Sequence, residues 1–358
     1  MPIAIQEKYP QQASYTIYKV SSTYYAQPSR ESGLTPYSNT DAATVIQSAI
    51  NQLTSGSIFL KEGVYSATFT LKSNVDICGI NYNSTIIKQP NGSNGDVIGG
   101  DTVSNITIRD LTIDGNKVNN PTGDNGISLV DVSNIKITRV SSFNNKLKGF
   151  AISDSGSNVV FDSIESYSND QDGMAFASGT TGSGKICKNI RVINSYIHDN
   201  TFYGIGLVVP DTNYARTENI MISNNHIVNN SSYGIEVFGA KAPFIIGNYI
   251  EKSGNHGIDL GSLGVDNFHV INATIMGNII KNGATQGIRV QSASNCRIIS
   301  NRCYDDQGTK TQTYGLGYNN SNGSGSNILI EGNDFTGNLT GAIELVTVLG
   351  ARIWGNLE

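Results

Sequence analysis

Three short segments, YGIEVF, HGIDLG and QGIRVQ, set ionisable side chains at one recurring offset from a glycine. Glu236, Asp259 and Arg289 each stand two residues after it, and Tyr233, His256 and Gln286 stand just before it. Tyr203 and Tyr314 hold that preceding position in the flanking segments YGIGL and YGLGY. If the segments stack as neighbouring strands, Glu236 and Asp259 lie about 5 Å apart. Two carboxyls that close cannot both ionise freely, so one is expected with a raised pKa, and Arg289 partly offsets their repulsion. A phenol, an imidazole and a carboxyl can move a proton, and a guanidinium can hold an anion. Tyr233, Glu236, His256, Asp259 and Arg289 are therefore the candidate catalytic set, flanked by Tyr203, Gln286 and Tyr314 as substrate contacts. The alternative for the charged residues is a surface ion-pair ladder.

A smaller group lies earlier, where FNNKLKGF and SNDQDGMAF bring Lys146 and Lys148 near Asp170 and Asp172. Lys148 and Asp172 are expected to contact substrate, against the alternative of a solvated loop.

Equal offsets place residues in one column only if the chain is a repeat, and it is. NITIRDLTIDGN, NIKITRVSSFNN, NVVFDSIESYSN, NIRVINSYIHDN, NIMISNNHIVNN, NCRIISNRCYDD and NILIEGNDFTGN share one pattern of Asn, a β-branched strand and an Asn-rich turn. A glycine then opens the next strand, at Gly126, Gly149, Gly173, Gly204, Gly234, Gly257, Gly287, Gly315 and Gly341. Each repeat reads as one coil of a solenoid, with roughly nine coils in all. The first and third residues after each glycine are apolar, as in Ile235 and Val237 or Ile258 and Leu260, so the second faces outward. Elsewhere that outward slot is bland, holding Ser128, Ala151, Ala175, Gly206 and Gly317. Asn225, Asn248, Asn278, Asn301 and Asn333 recur at one turn, where amides are expected to bond to one another in a ladder.

Helical spacing occurs once, in TDAATVIQSAINQL, where Ile46, Ala49, Ile50 and Leu53 share a face. It predicts a helix from Asp41 to Leu53 that plugs the N-terminal end. The expected fold is all-β, a single-stranded right-handed parallel β-helix over 40–358, with an N-terminal arm over 1–39.

A net charge of -5 offers no basic stripe, which argues against nucleic acid or an anionic membrane as partner. Cys78, Cys187, Cys296 and Cys303 lack zinc spacing and are expected as buried thiols. No segment reads as a signal peptide or as a bilayer-spanning run. No metal ligand set is expected; Asp and Glu leave calcium open as a cofactor without a dedicated loop.

The order of TDAATVIQSAI, GSIFLKEGVYSA, LKSNVDICGI and then Asn/Gly coils resembles the pectate-lyase-like superfamily of right-handed parallel β-helices. That superfamily includes polysaccharide lyases, polygalacturonase-type hydrolases, alginate C5-epimerase modules and phage tailspikes. The resemblance covers about Thr40 onward and implies a polysaccharide along the outer face, a monomer or homotrimer, and an extracellular or particle-surface location. Asp172 falls where the epimerase modules carry an Asp before Gly, but the coil before it reads KGFAISDS and lacks their other residues. HGID with GIRVQ is similar to the polygalacturonase His and Arg-x-Lys elements, yet Gln291 stands where Lys is required.

Three functions remain in view. A lyase or C5-epimerase would abstract the proton beside a uronate carboxyl, with Tyr233 or His256 as base and acid and Arg289 neutralising the carboxylate. A glycoside hydrolase would use Glu236 and Asp259, whose separation falls near the roughly 5 to 5.5 Å of retaining enzymes. A spike or adhesin would bind glycan without turnover.

Overall fold

The structure, a computed structural model, describes residues 13–29, 33–208, 213–261, 269–291, 293–319, 325–347 and 350–358. Strands as short as Met221–Ser223 and His226–Val228 are separated by two residues, Asn224 and Asn225, of which Asn224 lies in the left-handed region at φ 55°. Asn tolerates that conformation because its short amide can bond locally. Each such residue turns the chain through a corner, so most coils contribute strands to three parallel sheets. The strand that opens on the repeat glycine belongs to the first sheet, and the strands before and after the Asn turn belong to the second and third. In the earlier coils one strand runs around the corners without a break, as in Ile127–Phe143.

Along the first sheet Ile205, Ile235, Ile258, Ile288, Leu316 and Ile343 pair in sequence, and the last pairing shifts register only beyond Tyr318. A slip of one residue would turn the apolar set outward, which is why register is held up to that point. Ile235, Val237, Ile258 and Leu260 are fully buried, as the alternation requires. Two further coils precede the nine glycine-marked ones, because Phe69 pairs with Ile98 and Ile98 with Ile127.

The helix spans Ala42–Gln52, with Asp41 as its N-cap and Leu53 as its C-cap. It buries Val45, Ile46, Ala49 and Ile50 against the first coils. Gln47 also accepts the backbone N–H of Thr70 at 2.8 Å, which satisfies a strand edge that no coil covers. Tyr15–Val20 and Thr23–Pro28 form an antiparallel hairpin, and its first strand pairs in parallel with Gly56–Leu60. All four cysteines are buried free thiols.

The Asn ladder is continuous. Asn225, Asn248, Asn278, Asn301 and Asn333 each donate Nδ2 to the next amide oxygen at 2.9 to 3.0 Å, and the run continues to Asn356. A second buried ladder, Asn145, Asn169, Asn200 and Asn230, lines another turn. Replacing Asn278 with Ala removes the acceptor of Asn248 and the donor to Asn301 together. The expected cost is about 1 to 3 kcal/mol, read as a lowered melting temperature; an unchanged one would argue against the ladder.

Candidate functional site

The first sheet positions every candidate side chain. Backbone N–H groups of Gly149, Gly173, Gly204, Gly234 and Gly257 bond to the carbonyls of Asp172, Tyr203, Tyr233, His256 and Gln286 in turn. Lys148, Asp172, Tyr203, Tyr233, His256 and Gln286 are therefore consecutive members of one column. The two groups separated by sequence distance lie on one face. Beside this column runs the outward slot, where Gly206, Glu236, Asp259, Arg289, Gly317 and Glu344 pair in register.

The rings stack along the column. Tyr203 and Tyr233 lie 5.3 Å apart, as do Tyr233 and His256. Gln286 lies over Gly317 and donates to Glu344 at 2.8 Å. Tyr314 lies beside Gly341, one coil further on. On the other side of the charged slot, the Phe238 ring and Glu236 both approach Gly261.

The expected outward patch is closed over. Glu236 and Asp259 are 0% exposed, although their side chains leave the strand away from the apolar core. The flanking rings cover the slot because coils only about 4.8 Å apart leave no gap between stacked aromatic side chains. Arg289 grips Asp259 with Nε at 2.6 Å and Nη2 at 2.5 Å, and it lies 5.8 Å from the centre of the Tyr233 ring. Neither oxygen of Glu236 meets a donor. Its neighbour is the Asp259 carboxyl, and two carboxyls can bond only through a shared proton. Burial and then the charge of Asp259 push Glu236 well above the usual carboxylate range, so it carries that proton. Burial also raises Asp259, and the Arg289 bonds oppose the rise.

Burial, with the charge of Arg289 second, pushes His256 down to about 3. Its Nδ1 accepts from the backbone N–H of Gln286 at 3.4 Å and lies 2.6 Å from the Thr285 hydroxyl. The ring is thus neutral, with its proton on Nε2, and serves as a donor. The folded pKa lies below the unfolded one, so the stability this ring confers is complete above about pH 6.5 and is lost as pH falls below it. Expected loss is about 1.4 kcal/mol per pH unit over the acid side. A His256→Gln variant should flatten that slope in denaturant titrations at stepped pH.

Asp172 differs from its neighbours. It is 4% exposed, and its Oδ1 accepts the backbone N–H of Tyr203 at 3.1 Å. Burial raises it to about 6, while Lys148 and the Tyr203 N–H pull it the other way. Lys148 donates to Gln171 at 3.0 Å, and among the described residues neither it nor Asp172 is locked in an ion pair. Asp170, by contrast, is clamped by Lys117 and Lys146 at 2.7 and 2.8 Å. Among the described residues no three His, Cys, Asp or Glu side chains converge as a metal site.

Comparison with known proteins fixes the hand of the coil. Residues 215–353 match the family described as "Right handed beta helix region". This chain is a right-handed parallel β-helix. The β-helix is similar to the A-module of mannuronan C-5 epimerase AlgE6 from Azotobacter vinelandii, at 20% identity and TM-score 0.68. That match covers 88% of this chain and 96% of that one. It is also similar to PfbA, a surface adhesin of Streptococcus pneumoniae, at 18% identity and TM-score 0.72 over 89% of each chain. A third match is tailspike gp49 of Acinetobacter baumannii bacteriophage Fri1, a capsular polysaccharide depolymerase, at 16% identity and TM-score 0.61. It covers 90% of this chain and 61% of the tailspike. No curated protein sequence matches the chain. At these identities the matches establish the fold, which relatives use for epimerisation, depolymerisation and adhesion alike. No helix among the described residues is long and apolar enough to cross a membrane.

Two placements escaped the sequence. Glu344 joins the charged slot from the last coil although it stands three residues after Gly341 in GAIE rather than two. Gly341 pairs with Tyr314, so Ala342 falls at the place that the repeat glycine holds in the other coils. Thr285, which engages His256, carries no pattern signal because it lies in an irregular turn.

Proposed function

We propose that this β-helix acts on a uronate-containing polysaccharide by removing the proton beside the sugar carboxyl, as a lyase or C5-epimerase, with Asp172 as the base. The observation that carries this is the state of each group along the column. Glu236 holds a proton, Asp259 is held by Arg289, and His256 has its lone pair occupied. Asp172 is the carboxylate with a pKa near neutrality and no cation fixed upon it. A base poised near the working pH is the most effective one.

The neighbouring coils supply the other roles. Asp172 takes the C5 proton, and the electron pair left behind passes into the sugar carboxylate, whose added charge faces the Lys148 ammonium. Burial keeps the Tyr203 phenol protonated, so it is the acid. If Tyr203 protonates the departing O4, the C4–O4 bond breaks and a C4–C5 double bond forms. If a proton returns to C5 on the opposite side, the centre is inverted. Tyr233, His256, Gln286 and Arg289 line the same face further along and bind the rest of the chain, with Tyr314 one coil beyond. The sealed Glu236 and Asp259 speak against a hydrolase, since neither can reach a glycosidic oxygen.

Incubation of the protein with alginate and with polygalacturonate in heavy water tests the proposal. Deuterium at C5, or an unsaturated end absorbing in the ultraviolet, is expected from one of them. New reducing ends without unsaturation would overturn it. The stacked Tyr203, Tyr233 and His256 rings also favour a second reading, a glycan-binding face like that of an adhesin. Retention on these polymers with no exchange and no cleavage would select it.

A further inference from the structure

The third sheet carries a cavity that the first-sheet site does not use. It has a volume of about 650 Å³ and opens beside the Asn turn, lined by Tyr82, Arg139, Ser141, Glu165, Tyr196 and His226, among others. Its location follows from the sequence of the turn column. The Asn ladder ends at Asn225, and the same column continues as Ser195, Ile164 and Val140. The strand column beside it steps from His226 and Tyr196 to Glu165 and then Ser141. Two large rings thus give way to smaller side chains, and a hollow opens between Tyr196 at one end and Tyr82 at the other.

Tyr196 is built as a platform. One face of its ring rests on His198 at 4.0 Å, and His198 rests on Tyr167 at 4.9 Å, which rests on Phe143 at 5.0 Å. Glu165 and Asp199 fix the imidazole further. The tyrosine is nevertheless 42% exposed, and Tyr82 is 48% exposed. A braced ring with a free face loses little freedom when something stacks on it. Between the rings, Glu165 is ionised: its His198 bond holds it below the usual carboxylate range against the effect of burial, with help from Ser141. Arg139 bonds twice to the Asp110 carboxylate, which it shares with Arg109.

We propose that this cavity binds a neutral oligosaccharide. A pyranose offers an apolar C–H face for Tyr196 and Tyr82, and hydroxyls that donate to Glu165 and accept from Arg139 and Asn194. A uronate or phosphate in the hollow would lie against the ionised Glu165, and the Arg139 charge across from it is already engaged with Asp110. The inference does not rest on the first-sheet chemistry, and it makes the two faces complementary in the glycans they take.

Gel electrophoresis through soluble neutral polysaccharides tests it, using galactomannan, xyloglucan, dextran and mixed-linkage β-glucan, with alginate and polygalacturonate as anionic counterparts. At least one neutral polymer should retard the protein. Tyr196→Ala should weaken that retardation at least tenfold, Tyr82→Ala and Glu165→Gln should weaken it too, and Asp172→Asn and Tyr233→Ala should leave it unchanged. Circular dichroism and melting temperature confirm that each variant is folded, and Tyr82→Ala serves if Tyr196→Ala is not. Retardation by anionic polymers alone, by none of the polymers, or undiminished in the folded variants would overturn the proposal.

Discussion

Asp172→Asn is expected to lower kcat/KM on the responsive polyuronate by at least about a hundredfold, the usual contribution of a positioned base. Folding should survive, because an amide oxygen can still accept the Tyr203 N–H that Asp172 accepts now. The parent should show kcat/KM rising with pH through about 6, where Asp172 ionises. That arm should disappear from whatever activity the Asn variant retains. Lys148→Ala should act mainly where the carboxylate charge develops, lowering kcat more than it raises KM. Full activity in Asp172→Asn would move the chemistry to the Tyr233 and Arg289 end of the column.

Arg289→Ala is expected to have the largest effect on stability, a loss of about 3 to 5 kcal/mol, because it leaves Asp259 charged and uncompensated in a fully buried place. Urea midpoints measure it. Combining the change with Asp259→Asn should return much of the loss, since the stranded charge is then gone. Glu236→Gln should cost little or add stability, because the glutamate is already neutral and an amide can donate to Asp259 where the acid did. The pH behaviour has a definite sign. A carboxyl whose folded pKa is raised loses stability as pH climbs above its unfolded value, so the parent should weaken from pH 4.5 upward toward about 10 on account of Glu236. The Gln variant should weaken less. A parent no less stable with Glu236 ionised would mean that the pair does not share a proton.

The repeat made the coils and the alignment of Glu236, Asp259 and Arg289 readable in advance, because those coils keep one offset from the glycine, which the last coil with Glu344 does not. The helix was readable for the same reason, as the only segment with a different period. Exposure was not readable. Whether an outward side chain meets solvent depends on how far the rings of Tyr203, Tyr233 and His256 lean, and periodicity says nothing of rotamers. The union of Lys148 and Asp172 with Tyr203 is a different case, since all three precede a repeat glycine. They share a position without sharing a residue type, so only the offset reveals the column. The third-sheet cavity escaped because its signal is a change of side-chain size, from Tyr196 to Ser141, within strands that otherwise repeat.

One residue per coil in each column makes the first sheet a ruler with a fixed division. Excising residues 204–233 would remove one whole division and join Tyr203 to Gly234, like to like, with Asp172, Tyr203 and His256 then adjacent. Every inward side chain would still face inward, whereas loss of a single strand residue would reverse all that follow it. Reach along a polymer can therefore be lengthened or shortened by gain or loss of complete turns, while the reactive end stays as it is. Such a chain adapts to a new polymer by counting rather than by redesign.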